Sequence, residues 1–226
     1  MSVIPLRRRT ARRREGVVRP VLATKRVLDV ALSALALLVL SPVMAAISVA
    51  VRLTSRGPVL FRQERLGLGA RPFTCLKFRT MHADAADASH REYVTRLLTD
   101  PAPPKVGATG LFKIEHDPRL TPVGGWLRRT SLDELPQLVN VLRGEMSLVG
   151  PRPALAWEAE LYGLEEHRRF EVLPGMTGLW QVSGRSRLSM REALALDLEY
   201  VRRRSLALDL WILARTVPTV LRAEAT

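Results

Sequence analysis

Asp133 and Glu134 stand side by side within Thr130–Pro153, TSLDELPQLVNVLRGEMSLVGPRP, with Arg128 and Arg129 just before them and Arg143 and Arg152 after. Carboxylates set among arginines can hold a divalent metal and a phosphate together. A simpler role is also open. Ser131-Leu-Asp-Glu134 matches a capping box, and a helix N-terminus favours acidic residues without any catalysis. Pro136 fits a first helical turn, so the pair sits at a helix entrance, where backbone N–H groups can also bind phosphate oxygens. Arg152 lies between Pro151 and Pro153. That stiff backbone either aims a guanidinium at phosphate or carries an ordinary solvated arginine.

The elements that must position these groups come from a chain of 226 residues, long enough for one domain with a real core. Cys75 is the only cysteine and the four histidines are scattered, so neither a disulfide nor a zinc cluster is indicated. Of the formal charge of +13, much lies at the start: residues 1–26 carry nine Lys/Arg against one acid, Glu15. With Pro5, Gly16 and Pro20 and little apolar periodicity, residues 1–24 read as a basic disordered tail. Such a tail suits nucleic acid or anionic lipid headgroups, and the apolar segment that follows favours lipid. A membrane-anchored scaffold or nucleic-acid-binding protein is therefore the alternative to phosphate chemistry.

Val30–Val51 contains 22 residues without a charge. As a straight helix it is about 33 Å long, enough to span a bilayer. Two features point instead to a re-entrant hairpin over residues 25–56. Ser41-Pro42 interrupts the run near its middle, where proline removes a helix hydrogen bond. Both flanks are basic, the second with Arg52, Arg56, Arg62, Arg65, Arg71, Lys77 and Arg79, and a single spanning helix cannot keep both in the cytoplasm. Ser41 could relieve part of the lost bonding through a nearby carbonyl. Spanning and re-entrant readings both remain at this point.

Downstream, residues 57–226 form the body of the protein. Val59–Met81 reads as a β-hairpin around the turn GLGA, and its second strand carries Lys77 and Arg79. His82–Leu98 is helical in character, TDPAPPK (Thr99–Lys105) is a loop, and Asp117-Pro118 starts a turn. A helix from Leu135 to Leu142 ends at Gly144. Pro174–Arg187, with Trp180 and Gln181, is either a substrate-contacting loop or a surface connection. Met190–Ala223 reads as one basic amphipathic helix with Trp211, either interfacial or an ordinary core helix. The fold class is mainly α with a small β-hairpin.

Five blocks carry a family resemblance: KRVLDVALSALALLVLSP (Lys25–Pro42), GPVLFRQERLG (Gly57–Gly67), KFRTM (Lys77–Met81), Asp117–Pro153 and PGMTGLWQVSGR (Pro174–Arg185). Through them the chain resembles the bacterial sugar transferase family, the monotopic polyprenyl-phosphate glycosyl-1-phosphate transferases. Larger members carry further N-terminal transmembrane helices, and the likeness here is to the catalytic unit alone. The resemblance implies a monotopic protein of the bacterial inner membrane, with a re-entrant helix broken at Ser41-Pro42, interfacial helices and a cytoplasmic-face active site. It implies transfer of sugar-1-phosphate from a UDP-sugar to undecaprenyl phosphate, releasing UMP, in exopolysaccharide, capsule or O-antigen synthesis. Asp133 matches the nucleophile of an aspartyl phosphosugar intermediate and the residue expected closest to the Mg²⁺ cofactor. Glu134 matches its partner. Arg128 and Arg152 match phosphate-contacting positions, and Lys77 and Arg79 match motif cations. Expected partners are the two substrates and anionic lipid headgroups, with no nucleic acid; the oligomeric state is open, a homodimer being one form of it.

Overall fold

The computed structural model describes residues 9–82, 88–100, 117–184 and 188–223. Helix α1 runs from Arg9 to Thr54. Its portion Ala23–Thr54 is long and apolar enough to cross a membrane. The basic segment expected as a disordered tail is helical from Arg9 onward, continuous with the apolar run, while residues 1–8 lie outside the described residues. The physical reason is propagation: once the apolar helix exists, each further residue adds one hydrogen bond without a new nucleus.

Both ends of the apolar stretch are fixed to the same body. At its start, Lys25 donates to Asp209 (2.6 Å), the Arg26 guanidinium donates to the carbonyls of Val141 and Leu142 (2.6 and 2.9 Å), and Asp29 accepts from the Leu148 N–H. At its end, Ile47 and Val51 are buried with Phe78 and Leu127. Residues 34–43, between them, are exposed or only partly covered. The helix runs through Ser41-Pro42 without a gap in helical structure, so the break expected there is not seen as one. Pro42 has no N–H for the carbonyl of Leu38, four residues back. Ser41 Oγ donates to that same carbonyl at 2.8 Å and replaces the missing bond.

After α1 the expected hairpin forms. Strands β1 (Leu60–Leu66) and β2 (Pro72–Phe78) pair antiparallel, and Gly69 in the connecting turn has φ of 65°. The register opposes Phe61 to Lys77, Gln63 to Cys75 and Arg65 to Phe73. Because strand side chains alternate in face, Phe61, Gln63, Arg65, Cys75 and Lys77 share one side. Helix α2 spans Ala88–Thr99, and residues 83–87 of the helical segment expected from His82 lie outside the described residues. Helix α3 (Pro122–Thr130), capped by the Thr121 side chain, leads into a 3-10 turn at Leu132–Glu134 and then α4 (Gln137–Arg143), which Gly144 ends with φ of 83°. Asn140, fully buried on α4, accepts from the Leu76 N–H and donates to the Thr74 carbonyl, pinning this helix to β2.

Two three-residue strands were not legible in the sequence: β3 (Ser147–Val149) and β4 (Gly175–Thr177) pair in parallel. Just past β3 the backbones touch so closely that a Cβ at Gly175 would sit 2.1 Å from the Gly150 nitrogen. Only glycine permits that approach. Helices α5 (Ala156–Ala159) and α6 (Leu179–Ser183) follow the two strands. The single C-terminal helix expected from Met190 is two helices, α7 (Met190–Arg203) and α8 (Leu206–Ala223). Arg204 is out of helical conformation, and Ser205 Oγ accepts from the Leu208 N–H to restart the helix. The two take different surroundings. Helix α7 buries Met190, Ala193, Leu194, Tyr200 and Val201, so it is a core helix. Helix α8 buries Ile212 but exposes Leu210, Trp211 and Val217, with Arg215 stacked 5.2 Å from the Trp211 ring.

Candidate active site

The hairpin face, the 3-10 turn and the loop after β3 enclose a cavity of about 500 Å³. Its lining takes in each charged residue that the family resemblance pointed to, Lys77, Arg79, Arg128, Asp133, Glu134 and Arg152, but neither Arg129 nor Arg143. A wider groove of about 990 Å³, between the hairpin turn and residues 166–173, contains none of them. The chemistry belongs to the smaller space.

Asp133 sits in the 3-10 turn with only 7% of its surface exposed. The turn departs from the capping box expected there. Ser131 takes the left-handed conformation (φ 58°) to reverse the chain after α3, makes no side-chain cap, and accepts from the Glu134 N–H through its carbonyl. Glu134 instead turns to Lys77, which donates to it at 2.7 Å. Adjacent residues on a turn diverge, so one carboxylate meets the β2 lysine while the other is buried. Arg128, at the end of α3, faces Asp133 electrostatically. Burial lowers its pKa, with Asp133 and Asp117 pulling the other way.

The opposite wall is built from charges that the sequence did not single out as a site. Arg152 Nη1 donates to Glu158 Oε2 at 3.1 Å, and Glu158 is fully buried. The same oxygen accepts from the Leu155 N–H. Burial alone would raise the Glu158 carboxyl, yet Arg152, Arg65 and the Leu155 N–H outweigh it and hold its pKa below the ordinary value. The Arg152 backbone is held as well. Its carbonyl accepts from Arg169 Nη2 at 2.8 Å, and its N–H bonds Asp197. Arg169 in turn donates to Asp197 at 2.6 Å and to the Tyr162 hydroxyl at 2.8 Å. Burial pushes the Asp197 carboxyl up to about 6, against the pull of Arg169. Arg65 donates to the Pro153 carbonyl at 2.9 Å, and burial together with Arg152 pushes its guanidinium down to about 10, still charged at neutral pH. Hydrogen bonds from distant residues thus hold Arg152 alongside the flanking prolines.

Arg79 differs from the other cations. It is 4% exposed, and its Nη2 donates to both the carbonyl and the hydroxyl of Ser55 at 2.8 Å. Burial and the neighbouring Arg52 both lower its pKa. Trp180 is buried and Gln181 partly buried, and both line the cavity, so the segment expected over Pro174–Arg187 reaches the cavity through these residues, while residues 185–187 lie outside the described residues.

Among the described residues no group of three or more His, Cys, Asp or Glu gathers as a metal cage. Magnesium does not need one: it is commonly held by one or two carboxylates with substrate phosphates completing its coordination. The Asp133-Glu134 pair beside a cationic cavity fits that mode.

The family described as bacterial sugar transferase matches residues 21–223. The chain is 41% identical over 206 residues to the exopolysaccharide production protein ExoY of Sinorhizobium fredii, covering 91% of this chain and 89% of that protein. It is 40% identical over 210 residues to the UDP-glucose:undecaprenyl-phosphate glucose-1-phosphate transferase of Caulobacter vibrioides, covering 88% and 70%. Against the undecaprenyl-phosphate galactose phosphotransferase of Salmonella typhimurium the identity is 39% over 200 residues, covering 88% of this chain and 41% of that protein.

Proposed function

The chain belongs to the bacterial sugar transferase family, and from that premise we propose that it moves a hexose-1-phosphate from a UDP-sugar to undecaprenyl phosphate through a covalent intermediate on Asp133. The observation that carries this reading is the buried Asp133 in a cavity ringed by Lys77, Arg128 and Arg152.

In the first step a carboxylate oxygen of Asp133 attacks the sugar-bearing phosphorus. A new oxygen–phosphorus bond forms, the bond to the UMP oxygen breaks, and UMP leaves with that electron pair. In the second step an oxygen of the lipid phosphate attacks the same phosphorus, forming the diphosphate bridge and returning Asp133 as a free carboxylate. Carboxylate and diphosphate repel each other, so catalysis rests on neutralising charge and fixing geometry. Arg128 and Arg152 meet the phosphate oxygens, and Arg152 does so from a pre-set position that needs no reorganisation. Glu134 holds Lys77 against the cavity until phosphate oxygens compete for that ammonium group. Mg²⁺ held by Asp133 and the donor phosphates would offset further negative charge. Splitting the reaction in two lets one small site serve a soluble and a lipid substrate in turn.

The setting is the cytoplasmic face of the bacterial inner membrane. Lys25–Asp29 and Ile47–Val51 dock on one body while residues 34–43 stay outside it, which supports an apolar helix that enters and leaves by one face, bent near Ser41-Pro42. The exposed Leu210, Trp211 and Val217 of α8 then lie in the headgroup region, where Trp and Arg are favoured. Anionic headgroups are natural partners of the basic flanks.

The test is Asp133→Asn. Purified in detergent with undecaprenyl phosphate, the parent protein should release UMP from UDP-glucose or UDP-galactose and carry labelled phosphosugar when the acceptor is withheld. The variant should do neither, and chelation of Mg²⁺ should stop the parent. Normal turnover by Asp133→Asn overturns the covalent mechanism.

A further inference from the structure

We propose that Arg79 holds the phosphate of the lipid acceptor, in a subsite separate from the one that takes the nucleotide diphosphate; the assignment rests on the transfer reaction proposed above.

Arg79 is a buried cation with unspent donors. Its Nη2 is bonded to Ser55, but Nε and Nη1 are buried and have no hydrogen-bond partner. Among the described residues no carboxylate pairs with it, and the charge acting on it is that of another cation, Arg52. The other buried arginines show the contrast: Arg65 bonds Gln63 and the Pro153 carbonyl, and Arg169 bonds Asp197. Burying guanidinium N–H groups unpaired is costly, and the partner such a site suits is an anion with several acceptor oxygens.

Its location selects the anion. Ser55 follows directly on the last residue of α1, so Arg79 sits where the apolar helix meets the body. The final turns of α1 expose Val49 and Leu53, an apolar track leading to that point. Arg79 also lines the cavity that contains Asp133. A phosphate on a long hydrocarbon chain, lying along α1, would therefore arrive at Arg79. The donor is soluble and has cations of its own in Lys77, Arg128 and Arg152. Arg79 thus gives the second step what those residues give the first, a fixed positive charge for the attacking phosphate.

The experiment uses the full chain in phosphatidylcholine nanodiscs containing undecaprenyl phosphate, with UMP release followed for the parent, Arg79→Gln and Arg79→Lys. For Arg79→Gln the KM for undecaprenyl phosphate should rise about tenfold or more, with the KM for the UDP-sugar within about twofold of the parent. Exchange of labelled UMP into UDP-sugar without acceptor, which reads the donor half alone, should be unchanged. Arg79→Lys keeps the charge and should recover part of the acceptor KM; should Arg79→Gln fail to fold, the same split between the two KM values is read on Arg79→Lys. Equal losses for donor and acceptor, or an unchanged acceptor KM in a folded variant, overturn the proposal. Phosphatidylglycerol distinguishes the source of the phosphate: if it raises the acceptor KM of the parent but not of the variants, Arg79 holds a bulk headgroup and the proposal falls. A parent that turns over without UMP exchange refutes the covalent intermediate while the acceptor KM still judges Arg79. A parent with no UMP release refutes the transferase reading itself, and the subsite with it.

Discussion

On the hairpin wall of the cavity, the Lys77–Glu134 pair leaves 24% and 35% of its side chains in solvent. On the loop wall, Glu158 leaves none, and Arg169 and Asp197 leave 4% and 3%. The distances are similar, 2.7 Å against 3.1 and 2.6 Å, so geometry alone does not separate them. Water does. A wet pair gains little from its contact and can exchange partners at small cost. A dry pair has already given up its hydration, and removing either member strands the other. In the proposed reaction the wet wall can therefore let go of Glu134 when phosphate oxygens arrive, while the dry wall would keep the backbone and guanidinium of Arg152 in one place. The comparison teaches that one cavity can contain both a responsive cation and a fixed one, set by burial rather than by residue type.

The sharpest way to break this distinction is Glu158→Gln. It removes the buried carboxylate charge that faces Arg152 and Arg65, and should cost about 3–5 kcal/mol of stability. The Arg152 guanidinium would lose its anchor, and transfer should fall about 100-fold in whatever fraction stays folded. Thermal unfolding in detergent and UMP release read the two effects, and a change no larger than that of a surface pair would erase the contrast.

A smaller effect comes from pH. The folded pKa of Asp197, about 6, lies above its ordinary value, so the native state takes up this proton before the unfolded chain does. Its contribution to stability should therefore rise as pH falls from 7 towards 4, by about 1–3 kcal/mol. Glu158 has the opposite sign: its pKa is lowered, and its contribution is lost as pH falls through that lowered value. The parent minus Asp197→Asn difference in melting temperature should move in favour of the parent on acidification. A difference that does not change with pH would show that Asp197 titrates as an ordinary carboxylate.

The smallest expected change in stability is that of Lys77→Met, within about 1 kcal/mol of the parent. Its rate should nonetheless drop about tenfold, mostly through a higher KM for the UDP-sugar. A destabilisation matching that of Glu158→Gln would show that the wet pair is a frame after all.

What the sequence disclosed follows the range of the interactions involved. The hairpin was legible because alternation and the GLGA turn are local. The helix end at Gly144 was legible because a left-handed residue there closes α4. The Ser41 bond to a nearby carbonyl was also foreseeable, since proline orphans a defined acceptor only three residues from that hydroxyl. The capping box was misread because Ser131 is first of all the reversal point between α3 and the 3-10 turn, and that conformation turns its hydroxyl away from capping. Strands β3 and β4 are three residues each and exist through pairing across 28 positions, which no local pattern announces. Glu158, Arg169 and Asp197 carried no signal of their own. Each reads as one more charge on a helix until Arg152 is brought to it from elsewhere in the chain.

The contact between Lys25 and Asp209 joins positions 184 residues apart. During synthesis at about 5–20 residues per second, the apolar helix is complete about 8–31 s before its anchoring carboxylate has been made. The order of manufacture is thus the reverse of the order of fastening. Until Asp209 is made, α1 is a segment without this tether. Asp209, itself bonded to the Tyr200 hydroxyl, can close the latch only after the body between α1 and α8 has been made.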